Sequence, residues 1–413
     1  LKHLAQNNLV YFVNEIKTSF VLNDIKRLAE KNEKFYLFSI DKLEGKELLP
    51  DHVIVYEEFI SWNKFKPLRV FLRNFFSLIG IYIFECIKLK KILSFKNAIA
   101  LLCSNIFKAD CVIEILRTKS DLKPLDIKNS LFYSFWFYDC IFISWLRKRK
   151  IIDKAIVRTH SGDLYEEHIS IKDKILFRNF QFKYLDKILP VSNMGTHYLK
   201  NRYPLYKNKI EKSFLGSIGH GLNPYSTDNV FTIVSCASFR HHKRIHKIAE
   251  MLNMMDFPII WYHIGDERLD SKDPKIGEYI KNKEILKGNN LVRLLNLGEI
   301  QNADIFNFYK THPVNLFISL SEAEGIPVSM MEAISFGIPI ISTDVGGCNE
   351  IVNEKTGVLI PLETEMEEVA RLIKEFKTSE KNTENYRTGV RKFWEENFNS
   401  DSNYKDFFKL IEN

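Results

Sequence analysis

Cysteine is scarce and poorly spaced for either of its structural uses. The 413-residue chain has six, and Cys86, Cys103, Cys111, Cys140, Cys236 and Cys348 form no CxxC pair. That scatter excludes a zinc ribbon or finger and a small disulfide framework. Reduced, mostly buried thiols are expected. No secretory leader is visible, since Leu9–Val13 is a short strand-like run without a cleavage site. Nor does an apolar stretch reach the ~20 residues that span a bilayer. The expected location is therefore the cytoplasm, with peripheral attachment to the cytoplasmic face of the inner membrane left open by the charge pattern below. Internal repeats and low-complexity tracts are lacking. No RNA- or DNA-binding motif accompanies the basic residues, so nucleic acid is not an expected partner.

What is present suits a folded protein of two domains. The length is too great for one ordinary core, while 45% apolar and 27% charged residues are normal for a globular chain. The net charge of +7 is unevenly placed, because residues 51–150 hold 17 Lys/Arg against 9 Asp/Glu. Two aromatic-rich apolar runs lie in that stretch. Asn74–Phe84 is flanked by Arg69, Arg73, Lys88, Lys90 and Lys91, and Ser130–Leu146 is followed by Arg147, Lys148, Arg149 and Lys150. Both read as buried helices with solvated basic ends. The same pattern fits contact with an anionic membrane surface through residues 64–150, and the two readings are compatible.

Strands alternate with helices at both ends of the chain. LVYFV (9–13), KFYLFSI (34–40), AIVRT (155–159) and KILPV (187–191) read as strands, and Val21, Ile25 and Leu28 fall at helical spacing. Ser192 is placed to cap the following helix. A Gly-, Pro-, Ser- and Asn-rich segment near 216–230 reads as a linker, with Gly219-His220-Gly221 as its hinge. Five more strand candidates follow, TIVSCA, IIWYHIG, LVRLLNLG, NLFISLS and IPIISTD. The pattern predicts α/β structure with parallel sheets. Residues 1–222 form the first domain and 229–385 the second, with an amphipathic helical tail at 386–413 packing back on the first.

The chemistry concentrates in Ser319–Val352, SLSEAEGIPVSMMEAISFGIPIISTDVGGCNEIV. A buried-type strand ends in a turn at Glu324-Gly325-Ile326, and Pro327 stands where a helix begins. Gly325 has no Cβ to keep a ligand from the backbone. The amides of Val328 and Ser329 are helix-start donors suited to a pyrophosphate. Glu332 lies one turn further in and can accept from two ribose hydroxyls. Alternatively, both acids are only helix-start carboxylates favoured by the dipole.

The string EGIPVSMMEAISFGIPIISTDVGG resembles the donor-site motif of family 4 glycosyltransferases, retaining enzymes of the GT-B fold. The resemblance implies two facing Rossmann-like domains, with the final helix crossing back to the first. It implies a nucleotide-diphosphate sugar as substrate, a UDP-sugar ahead of a GDP-sugar, and no cofactor or metal. The first Glu of the E-x7-E pair, Glu324, lies by the sugar, and the second, Glu332, binds the ribose. Lys243, in Ala237–Arg244, matches the phosphate-binding lysine. Ser238 stands where relatives carry an arginine, and Arg240 and Arg244 are candidates for the missing charge. Gly298 ends a strand near the expected base site, and Gly346-Gly347 turns the backbone beside the donor.

Arg158-Thr159-His160-Ser161-Gly162-Asp163-Leu164-Tyr165 resembles the R-x-H-G-x-D-L-Y stretch of capsular and colanic-acid-type members. His160 is thereby implied to touch the transferred sugar and leaving phosphate. Arg158 and Asp163 belong either to the acceptor side or to the fixing of this loop. The Gly-rich loop of many relatives is absent. Val13–Phe20 replaces it, with Asn14, Glu15 and Lys17 as candidate acceptor-side residues. The implied activity is retaining transfer of a sugar to a glycan, lipid-linked in surface polysaccharide assembly. A non-catalytic GT-B subunit and a sugar-nucleotide epimerase are the rival readings.

Overall fold

A computed structural model describes residues 8–16, 18–32, 34–60, 66–118, 126–166, 177–226, 229–265 and 278–412. The chain divides into two compact units, residues 1–213 with 407–413, and residues 214–406.

Unit 1 contains, in order, β1 (Leu9–Phe12), α1 (Ser19–Ala29), β2 (Phe35–Phe38), β3 (Val53–Tyr56), α2 (Lys66–Leu89), α3 (Phe95–Thr118), β4 (Leu131–Ser134), α4 (Ile141–Lys148), β5 (Lys154–Thr159), α5 (Ser161–Leu164), α6 (Arg178–Tyr184), β6 (Lys187–Pro190) and α7 (Asn193–Arg202). Its strands form one sheet in the order β3-β2-β1-β4-β5-β6, parallel throughout. β1, β2 and β4 are buried along their full length, as expected where both faces of a parallel sheet are covered. Ser192 caps α7 by accepting from the Gly195 amide at 3.0 Å.

Unit 2 contains β7 (Phe231–Cys236), α8 (Ile245–Leu252), β8 (Ile259–Ile264), α9 (Glu278–Leu286), β9 (Val292–Gly298), α10 (Asn302–Thr311), β10 (Leu316–Ser319), α11 (Val328–Ser335), β11 (Ile340–Thr343), α12 (Cys348–Ile351), β12 (Gly357–Ile360), α13 (Met366–Thr378) and α14 (Glu384–Asn397). The last helix, α15 (Ser400–Glu412), starts in unit 2 and ends in unit 1. The second sheet runs β12-β11-β10-β7-β8-β9 and is likewise parallel. Renumbered from its own first strand, this is the order of unit 1. Both units are therefore Rossmann-like, each with a topological switch beside its first strand, between β1 and β4 and between β7 and β10. Ligand crevices form at the carboxyl ends of strands there.

Four expectations are corrected. Ser130–Leu146 is not one helix but β4, a buried turn and α4, because its unbroken apolar character hides the change of period. Leu68–Leu89 of α2, with a mean hydropathy of 1.6, is long and apolar enough to cross a membrane, the arginines near its start having masked that in the sequence. Residues 386–406 group with unit 2, and only 407–413 with unit 1. The 216–230 linker is fastened rather than loose over its first part. Trp394 Nε1 donates to Ser217 Oγ at 2.8 Å, and Asn223 is buried with its Nδ2 donating to the carbonyls of Tyr309 and His312. All six cysteines are free, with Cys103, Cys140 and Cys348 buried and the others half-buried.

Candidate functional site

At the carboxyl end of β7 the chain leaves the sheet through Ala237–Arg240 into a short 3-10 turn, His241–Lys243. Its neighbour β10 ends at Ser319 and continues through Glu324 to α11. These connections flank the switch point and are sewn together, for the Glu322 amide donates to the His242 carbonyl at 2.7 Å. Lys243 Nζ donates to Glu324 Oε1 at 2.6 Å, with the two side chains 20% and 11% exposed. The two residues assigned separate roles from sequence are thus one ion pair at the crevice.

Glycine explains how the Glu324 backbone is held. Gly346 has a φ of +54°, and a Cβ there would lie 1.7 Å from the Glu324 carbonyl oxygen. The Gly347 amide donates to the Gly325 carbonyl at 2.7 Å, and a Cβ on Gly347 would lie 2.3 Å from that oxygen. Only a chain without side chains can pack here.

Pro327 is the N-cap residue of α11, followed by Val328 and Ser329 in the first turn. Amides in that turn have no acceptor within the helix, and the N-terminal end of the dipole favours an anion. Glu332, one turn on, is buried at 5% exposure, and its Oε1 accepts from Asn302 Nδ2 at 2.8 Å. Asn302 opens α10, just beyond Gly298, which has a φ of +68° and accepts from the Gly265 amide. Asn302 was not found from sequence. Its signal was weak, a lone amide at a helix start.

The thiols confirm that this crevice is enclosed. Burial pushes Cys236, at the end of β7, up to about 12, with the Glu332 carboxylate adding to the shift and Lys243 opposing it. Cys348 is pushed up to about 11 by burial, with Glu324 contributing. Both are protonated at neutral pH and are not nucleophiles. Arg240 is exposed. Arg244, in the left-handed conformation, donates from Nη1 to the Leu362 carbonyl at 3.0 Å. Its expected role on the donor is corrected to bracing the loop, because this contact turns the guanidinium toward β12's exit.

In unit 1 the β5 exit carries the second motif. Arg158 is fully buried, 3.1 Å from Asp24 Oδ1, with its Nη2 donating to Ser213 Oγ at 3.2 Å and its guanidinium 4.6 Å from the Phe407 ring centroid. Tyr11 donates to the other oxygen of Asp24 at 2.9 Å. Asp163 is also fully buried, accepting from Thr159 Oγ1 and the His160 amide, both at 2.7 Å, and from the Phe137 amide at 2.5 Å. Burial raises its pKa to about 6 against those bonds. The acceptor-side alternative for Arg158 and Asp163 is corrected, since their polar atoms are spent on fixing the loop. Asp24 was missed, although a carboxylate among Val21, Ile25 and Leu28 marks a partnered charge on a buried face.

His160 follows Arg158 with its ring between Phe135 and Trp136, centroids at 4.5 and 4.6 Å. Its Nε2 lies 3.1 Å from the Phe135 carbonyl. A carbonyl only accepts, so Nε2 carries the proton. Burial, then the positive Arg158, lower its pKa to about 3, so the ring is neutral at ordinary pH. It cannot act as a cationic acid there. Asn14 Oδ1 is 3.4 Å from the Ile40 amide, Glu15 is exposed, and Lys17 lies outside the described residues.

Residues 224–393 match the family described as glycosyl transferases group 1. The O-antigen biosynthesis glycosyltransferase WbnH of Escherichia coli is 30% identical over 132 residues, 32% of this chain and 33% of that protein. The chain thus matches about a third of the length of this curated relative. Anabaena HepE in complex with UDP superposes with a TM-score of 0.70 at 13% identity, covering 98% of this chain and 99% of that one. The apo form of the lipopolysaccharide outer core galactosyltransferase WaaB gives 0.66 at 15% identity, covering 98% and 99%. At such identities these structures show the fold alone, and that fold is GT-B.

Proposed function

Since residues 224–393 belong to the group 1 glycosyl transferases and the chain has the GT-B fold, we propose that the protein moves a sugar from a nucleotide-diphosphate donor to a glycan acceptor in surface polysaccharide assembly. The observation carrying this reading is the Lys243–Glu324 pair beside the start of α11 at the second switch point. Breaking the anomeric C–O bond leaves negative charge on the diphosphate. Lys243 and the Val328 and Ser329 amides meet that charge where it develops. Glu324 orients the sugar hydroxyls, and Glu332, steadied by Asn302, accepts from the ribose.

The finer reading is a UDP-sugar donor, no metal and a lipid-linked acceptor. The acceptor hydroxyl attacks from the face the diphosphate leaves, its proton passes to the leaving phosphate oxygen, and anomeric configuration is retained. Support for UDP is the ligand of HepE, and for a glycan acceptor the O-antigen role of WbnH.

Ser238, where relatives carry a cation, favours a second reading as a non-catalytic subunit that stabilises a partner. The experiment is a thermal-shift panel of nucleoside diphosphates, followed by sugar transfer with and without acceptor and analysis of anomeric configuration by NMR. A raised melting temperature with UDP and acceptor-dependent transfer lost in Glu324→Ala support the enzyme. Binding without turnover across the donor panel would leave the scaffold, and acceptor-free sugar isomerisation would leave the epimerase.

A further inference from the structure

Helix α2 has two unlike faces. Val70, Asn74, Leu78, Ile81 and Glu85 are buried, and Glu85 locks that face to α6. Its carboxylate accepts from the amides of Asn179 and Phe180 at 3.0 and 2.9 Å and from Asn179 Nδ2 at 3.1 Å. On the opposite side, at i, i+4, i+8 and onward, Leu68, Leu72, Phe76, Ile83 and Ile87 are exposed, Phe76 at 88%. Ile92, 86% exposed, and Phe95 extend this row into the turn before α3. Phe95, Phe71 and Ile99 line an open groove of about 500 Å³ beside it. Scattered apolar side chains are ordinary on a protein surface, whereas a contiguous row marks an interaction site.

Charge names the occupant. Residues 66–96 contain seven Lys/Arg and a single acid, the buried Glu85. Arg69, Lys88, Lys90, Lys91 and Lys96 are exposed, while Arg73 pairs with Asp110. We propose that α2 and the turn to α3 dock the protein on an anionic phospholipid bilayer. The helix lies along the surface, with its apolar row in the headgroup–acyl boundary and its cations among the phosphates. Although 68–89 has the length to cross a bilayer, crossing would tear the buried stripe from unit 1 and leave the Glu85 carboxylate in hydrocarbon. The other apolar run, Ser130–Leu146, is buried almost throughout and contributes no docking surface. The inference stands on α2 alone and is independent of the transfer chemistry.

The test is sedimentation of the full chain with vesicles of phosphatidylcholine, alone or mixed with phosphatidylglycerol. Binding is expected only to the mixed vesicles, reversed by high salt. L72E/F76E and, separately, K88E/K90E/K91E should each weaken it about tenfold or more, with melting temperature and UDP affinity unchanged. Parent protein that ignores anionic vesicles, or variants that bind as well as the parent, would overturn the proposal. So would a dimer lost in L72E/F76E without vesicle binding, which would assign the row to a second copy. Resistance of bound parent to both salt and alkaline wash would overturn it too, by making α2 an embedded helix. A failed donor-binding assay alongside intact vesicle binding would count only against the transferase.

Discussion

The ammonium of Lys243 lies 2.6 Å from the Glu324 carboxylate, so the cation expected to meet a diphosphate already holds an anion. Donor binding must share or displace that carboxylate. Glu324→Gln removes the competitor while keeping its shape. UDP affinity by calorimetry should hold or rise, while transfer falls roughly 10²–10³-fold. Lys243→Met should lower both. An E324Q protein that loses UDP affinity as far as K243M does would show that the pair does not compete.

Gly346→Ala tests whether the Glu324 backbone needs its present seat. The new methyl would meet the Glu324 carbonyl at 1.7 Å in a left-handed conformation. A cost of about 1–3 kcal/mol is expected from backbone strain, read as a lowered melting temperature. Transfer should drop further than stability alone explains, because the carboxylate moves with its backbone. Gly389→Ala, where nothing lies within 4 Å of the new Cβ, is the matched control.

His160 and Asp163 make opposing contributions to pH dependence. His160 has a folded pKa of about 3 against 6.5, so below 6.5 the unfolded chain binds the extra proton and stability is lost as pH falls. Asp163, raised to about 6 from 3.8, binds its proton first in the folded state, so its contribution is lost as pH rises from about 4 to 6. Between those values the slopes oppose each other. His160→Gln should remove the acid-labile part and leave a protein whose melting temperature rises as pH drops from 6 to 4. A pH–stability curve identical to the parent's would sink this account.

The buried Arg158–Asp24 pair predicts a third kind of behaviour. Asp24→Asn leaves a guanidinium in the core without its counter-charge and should cost about 3–5 kcal/mol, followed by chemical denaturation. The double variant Asp24→Leu with Arg158→Met should recover most of that loss, because neither charge is then stranded.

Much of the architecture was legible. Each strand proposed from sequence is present, since fully buried parallel strands are apolar without interruption and the turns after them are rich in Gly, Ser and Asn. β4 was not, because aromatic side chains run unbroken from Leu131 to Trp145 and mask the shift from period two to period 3.6. β3 and β12 are four residues each, too short to declare themselves. Lys243 and Glu324 could be singled out by their motifs, but not their pairing, which depends on β7 and β10 being neighbours across 81 positions of sequence. Asn302 and Asp24 escaped for the same reason, as each matters only through a partner brought close by the fold.

Phe407 bears on the order of events at the ribosome. Its ring covers the Arg158 guanidinium and meets Tyr133 edge-on at 5.8 Å, within a unit otherwise made of residues 1–213. Synthesis of those first residues therefore leaves a lidless core, with a charged pair roofed only after nearly two hundred more have emerged. The amino-terminal half must wait, guarded or fluctuating, for a late aromatic plug. A fragment expressed without it should be caught by chaperones or proteases more readily than its sheet alone would suggest.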